Sequence, residues 1–85
     1  MNTYRVDWIP HARTLLAAAW LIASNRNAVT RAQDAVDKAL ASDPRGLGKE
    51  LSEGLWRIAR YPLVAYYEID DTTNTATVTD LAFIP

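Results

Sequence analysis

Hydrophobic and polar positions alternate from the start of the chain. Tyr4, Val6 and Trp8 fall on one side of an extended segment and Thr3, Arg5 and Asp7 on the other, the signature of a strand with one buried face. Pro10 ends that strand and suits the first turn of a helix, where its missing N–H is not needed. From His11 to about Ser24 the period becomes helical, with Ala12, Leu15, Leu16, Ala19, Trp20 and Ala23 forming one stripe. Asn25-Arg26-Asn27 reads as a tight connection in which either Asn can cap the next helix. That helix, from about Ala28 to Ser42, carries the stripe Val29, Ala32, Ala35, Val36, Ala39 and Leu40. Arg31, Asp34, Asp37 and Lys38 are expected to face water, with Asp34 four residues before Lys38 in the orientation that favours an ion pair. So short a link predicts an antiparallel αα-hairpin.

Ser42-Asp43-Pro44-Arg45-Gly46 stops the second helix, and Gly46 and Gly48 predict a loop after it. Gly54 opens an extended run, Leu55 to Arg60, with Trp56 and Ile58 on one side and Leu55 and Arg57 on the other. Tyr61-Pro62 marks a turn, and Leu63 to Ile69 reads as a central strand. Asp70-Asp71-Thr72-Thr73-Asn74 is a polar hairpin turn. The last strand runs from Thr75 to Ile84, and Asp80 interrupts its alternation, which predicts a bulge there. The order is β-α-α-β-β-β. It implies an α+β two-layer domain spanning residues 1–85, with the αα-hairpin packed on one face of a mostly antiparallel four-stranded sheet. Arg57 and one tyrosine of the Tyr66-Tyr67 pair belong to the opposite face.

Composition narrows the chemistry. The 85 residues are 49% hydrophobic and 22% charged, which is globular rather than disordered. Nine Lys and Arg against ten Asp and Glu give a net charge of −1, excluding a generally cationic polymer binder while allowing a local basic strip. With no Cys and one His, thiol chemistry, disulfides and ordinary zinc or iron–sulfur sites are excluded, so no metal or other cofactor is expected. The longest apolar run, Leu15 to Ala23, is about half of what a membrane span needs. A cytoplasmic chain without a membrane partner is the expectation.

Four stretches together resemble the RelE/ParE superfamily of type II toxin–antitoxin toxins. They are Tyr4-Arg5-Val6-Asp7-Trp8 with Pro10 and Ala12; Val29 to Asp34 leading to Leu40-Ala41-Ser42-Asp43-Pro44; Gly54-Leu55-Trp56-Arg57-Ile58; and Pro62-Leu63-Val64-Ala65-Tyr66-Tyr67-Glu68-Ile69-Asp70. Each string is weak alone, and their order and spacing carry the likeness over nearly the whole chain. The resemblance implies a toxin neutralised by a cognate antitoxin peptide and acting either on mRNA at the ribosome or on DNA gyrase. Arg57 matches the basic position of the family's first meander strand. The Arg expected at the start of the next strand falls on Leu63 or Val64, and the sequence stops at Phe83-Ile84-Pro85, where the family's C-terminal acid/base group would follow. The activity is therefore open between mRNA cleavage, gyrase inhibition and neither.

Candidate residues follow from these readings. Metal-independent RNA cleavage needs cations around the phosphate and a proton donor. Arg57, Arg60 and Tyr61 are the catalytic candidates, and Arg45, Lys49, Arg57 and Arg60 the RNA-binding ones. Their bland alternative is a set of scattered surface charges beside Glu50 and Glu53. His11 reads as an exposed helix-end residue. Trp8, Trp20 and Trp56 are expected in the core, with Trp20 or Trp56 lining a peptide groove as the alternative. Leu81, Phe83 and Ile84 form an apolar last strand suited to a partner chain, either the antitoxin or a second copy. The competing overall reading is a homodimeric α+β protein-interaction module without toxicity.

Overall fold

A computed structural model describes residues 3–85. Strand β1 (Arg5–Trp8) leads into helix α1 (Pro10–Ile22), which begins on Pro10 with no side-chain cap. Helix α2 (Arg26–Ser42) is capped by Asn25, whose Oδ1 accepts from the Ala28 N–H at 3.1 Å. Asp43 closes α2 and caps the next turn, α3 (Pro44–Leu47), accepting from the Gly46 N–H at 2.9 Å. Four strands follow: β2 (Lys49–Ser52), β3 (Leu55–Arg60), β4 (Leu63–Asp70) and β5 (Thr75–Phe83).

The sheet has five strands in the order β1-β5-β4-β3-β2, with β1 parallel to β5 and the other pairs antiparallel. The expected count of four is corrected by β2, which was read as loop. Its residues Lys49-Glu50-Leu51-Ser52 are all exposed, so no alternation of burial marks them. The segment is a strand by its backbone pairing with β3, Lys49 opposite Arg57 and Glu50 opposite Trp56. Gly54, at φ +81°, makes the turn between β2 and β3.

Both helices lie on one face of the sheet. Val29, Val36 and Leu40 from α2 and Ala12 and Ala19 from α1 meet Trp8, Ile58, Leu63, Ala65, Tyr67, Ala76, Val78 and Leu81 in a single core. Trp56 stacks on Tyr67 with ring centroids 6.4 Å apart. The predicted bulge is present: Tyr66 pairs with Asp80 and Tyr67 with Val78, which leaves Thr79 as the extra residue. That extra residue lets Val78 and Leu81 both point into the core. On the reverse face, Val64 is also buried, flanked in register by Ala59 and Ala82.

Several expectations need correction. Trp20 is 43% exposed rather than core, because Ala19 is the last buried position of α1 and Trp20, Leu21 and Ile22 project past the packed layer. The Arg26 guanidinium covers the Trp20 ring at 4.6 Å. Asp37 is half-buried instead of facing water, and accepts from the Trp8 indole N–H at 2.8 Å. Asp34 and Lys38 do not close their helix pair; among the described residues the ion pairs are Arg5–Asp7, His11–Asp80 and Arg45–Asp71. Leu81 is buried in the chain's own core, and β5 is flanked by β4 and, over Thr75–Val78, by β1. Leu81 is therefore unavailable to a partner; Phe83 packs partly against the core and Ile84 is 46% exposed. Among the described residues no helix is long and apolar enough to cross a membrane.

Candidate anion-binding face

Register on the reverse face sets the site. Lys49 of β2 stands opposite Arg57 of β3, Arg57 opposite Tyr66 of β4, and Tyr66 opposite Asp80 of β5. Facing residues of paired strands share a face, so these four side chains form one row across the side away from the helices. Among the described residues neither Lys49 nor Arg57 has an ion-pair or side-chain hydrogen-bond partner. Like charges placed directly opposite on neighbouring strands are destabilising, and an anion bound between the two would relieve them.

The other candidate cations are dispersed. Arg60 is three positions from Arg57 and so on the opposite face, where it and Tyr61 lie against Ala28, Arg31, Ala32 and Ala35 of α2. The Arg60 guanidinium donates to the Ala59 carbonyl at 2.8 Å. Tyr61, 68% exposed, is in the β3–β4 turn on that same rim, away from Arg57. Arg45 holds Asp71 with two hydrogen bonds, at 2.8 and 2.6 Å, and also donates to the Tyr4 hydroxyl at 3.2 Å. That contact holds the Asp71 carboxyl below its usual range and raises the Arg45 guanidinium. Of the expected strip of Arg45, Lys49, Arg57 and Arg60, the fold brings together only Lys49 and Arg57.

His11 joins the row at its Asp80 end. Asp80 accepts from the backbone N–H of Leu81 at 2.8 Å, and His11 Nε2 lies 3.5 Å from the same carboxylate oxygen. The contact is possible because β1 ends at Trp8. The Ile9 N–H still donates to the Val78 carbonyl at 3.1 Å, and α1 then begins, so His11 reaches the edge of β5 where no strand covers it. Reading along the sequence missed this contact, since nothing in the spacing of His11 and Asp80 shows that the first helical turn and the last strand meet.

A second feature lies between the helices. Leu16, Ala17, Trp20 and Leu21 of α1 and Val29 of α2 line an apolar cleft of about 440 Å³ with Arg13 at its edge. No carboxylate lines it.

No protein-family model matches the sequence, and no curated protein matches it. Solved structures do. A chain of the toxin–antitoxin complex RelBE2 from Mycobacterium tuberculosis superposes with a TM-score of 0.81 at 21% identity, over 98% of this chain and 93% of that one. The isolated E. coli RelE toxin gives 0.71 at 13% identity, over 96% and 85%. A chain of the chromosomal ParDE system from P. aeruginosa gives 0.68 at 17% identity, over the whole of both. At these identities the likeness is one of fold, shared with the isolated RelE toxin and with chains of the RelBE2 and ParDE structures.

Proposed function

We propose, from a fold shared along nearly its whole length with RelE and ParE structures, that this chain is the toxin component of a type II toxin–antitoxin system. Its partner in this reading is a cognate antitoxin peptide. The full-length superposition on a chain from a toxin–antitoxin complex is the observation that carries the reading. The cleft between α1 and α2 supports a surface for the partner: it is apolar, edged by Arg13, and continuous with the exposed Trp20, Leu21 and Ile22 under Arg26. An amphipathic segment with acidic residues beside its apolar face complements it. This surface replaces the one assigned to Leu81, Phe83 and Ile84, since of these only Ile84 exposes a large apolar side chain. Between mRNA and gyrase as the target, the Lys49–Arg57 pair beside Tyr66, without an ion-pair partner among the described residues, favours RNA. Cations meet its phosphates, and the ring offers a stacking surface to an unpaired base.

Induced expression with and without the neighbouring reading frame tests the proposal, with translation and DNA supercoiling measured separately. Arrest of translation that the neighbouring frame relieves is expected, and Trp20→Ala should abolish that relief while leaving the arrest. Growth without arrest, together with a stable dimer by sedimentation, would favour the homodimeric interaction module instead.

A further inference from the structure

We propose that His11, oriented by Asp80, is the proton acceptor for phosphodiester cleavage on the Lys49–Arg57–Tyr66–Asp80 row; this rests on the reading of the chain as an RNA-directed toxin. Cleavage without a metal requires a group that takes the ribose 2′ proton and a second group, on the far side of phosphorus, that protonates the leaving oxygen. Arg57 cannot release a proton and serves as a clamp. His11 is the chain's single imidazole, and the fold brings it from the first turn of α1 to the one strand end that β1 leaves uncovered.

Asp80 is a positioning residue. Its carboxylate is fixed from behind by the Leu81 N–H at 2.8 Å and faces His11 Nε2 at 3.5 Å. A carboxylate there favours the tautomer with the proton on Nε2, which leaves the Nδ1 lone pair free to act as base. Adjacent strands are about 4.8 Å apart, so a phosphate held by Arg57 over Tyr66 lies between the His11–Asp80 pair and Lys49. His11 Nδ1 takes the 2′-hydroxyl proton and the 2′ oxygen attacks phosphorus. The P–O5′ bond breaks, and O5′ takes a proton from the Lys49 ammonium; His11 then releases its proton to water and Lys49 regains one from it, so both side chains return to their starting states. The products are a 2′,3′-cyclic phosphate and a 5′-hydroxyl end, with no change of oxidation state and no metal consumed.

The test uses the full chain in a translating extract programmed with a reporter mRNA, with cleavage ends mapped, alongside binding of a single-stranded oligoribonucleotide. His11→Ala should slow cleavage roughly a hundredfold or more while leaving oligonucleotide affinity within about twofold. Arg57→Ala should weaken binding as well. Asp80→Asn should lower the cleavage rate without changing affinity, and Lys38→Ala, remote from the row, should match wild type. Thermal melts of each variant separate loss of fold from loss of chemistry, and His11 is exposed enough for its replacement to be tolerated. Cleavage by His11→Ala at the wild-type rate would overturn the proposal. So would growth arrest by wild type without any RNA cleavage, which leaves the toxin reading standing. Neither arrest nor cleavage would remove both.

Discussion

Tyr67, buried in the middle of the sheet, donates its hydroxyl proton to the backbone carbonyl of Pro44 and so ties β4 to the short helix that precedes β2. Burial pushes the Tyr67 hydroxyl up to about 12 from its ordinary 10. The neutral phenol is the form the fold holds, so its contribution to stability is complete below pH 10 and is lost as pH rises through 10 towards 12. Replacing Tyr67 by Phe removes the donor and leaves a buried carbonyl unsatisfied, a loss of about 1–3 kcal/mol. Denaturant unfolding at neutral pH measures that loss. The same measurement carried to alkaline pH should show a weaker fall in the variant than in wild type.

Gly48 faces this hydroxyl. A Cβ built there would stand 1.7 Å from Tyr67 Oη, closer than atoms can pack, and 3.1 Å from the Arg57 carbonyl oxygen, a tight contact. Gly48→Ala should therefore destabilise the chain by about 1–3 kcal/mol, in the range of overpacked sites. In a Tyr67→Phe background the nearest obstacle is gone, so the second substitution should cost less than it does alone. A double-mutant cycle by chemical denaturation reads this coupling; strict additivity would show that Gly48 and Tyr67 are independent.

Asp37 carries a carboxylate that the fold half-buries against the Trp8 indole. Burial raises its pKa, partly offset by the hydrogen bond from Trp8, with Asp34 adding to the rise. A raised carboxylate contributes stability at acid pH and loses it as pH climbs through its folded value. At neutral pH Asp37→Asn, which keeps an acceptor for the indole N–H without the charge, should be neutral or stabilising. Asp37→Ala should cost about 1–3 kcal/mol by orphaning the Trp8 donor. Melting temperatures of the two variants at neutral pH distinguish these outcomes.

Arg45 and Asp71 show the opposite sign. The paired Asp71 carboxyl is depressed, so its contribution is present above the ordinary carboxylate value of 3.8 and fades as pH falls below it. Arg45→Ala should flatten acid unfolding in that window. Added salt should weaken the wild-type effect, since both side chains are largely exposed.

Periodicity made the αα-hairpin, the central strands, the bulge near Asp80 and the split of Tyr66 and Tyr67 between two faces readable from the chain. The same alternation also separates Arg57 from Arg60, an odd number of positions apart on one strand; grouping them by charge alone overlooked it. The strand β2 was hidden because its pairing is entirely backbone, with no side chain buried to leave a trace. Trp20 misled because a helical stripe says which side is apolar but not where the opposing layer ends. The approach of His11 to Asp80 is a matter of topology, settled only when α1 and β5 are placed side by side.

The parallel pairing of β1 with β5 joins Arg5 to Thr75 and Trp8 to Val78, so β1 waits for a partner strand made long after it. Contacts that distant in sequence are slow to form, because a long loop must close before they give any return. Until Thr75–Val78 has been translated, β1 has no ladder to join and Trp8 lacks its flank of the core. Closure of the sheet is thus deferred until β5 has been made.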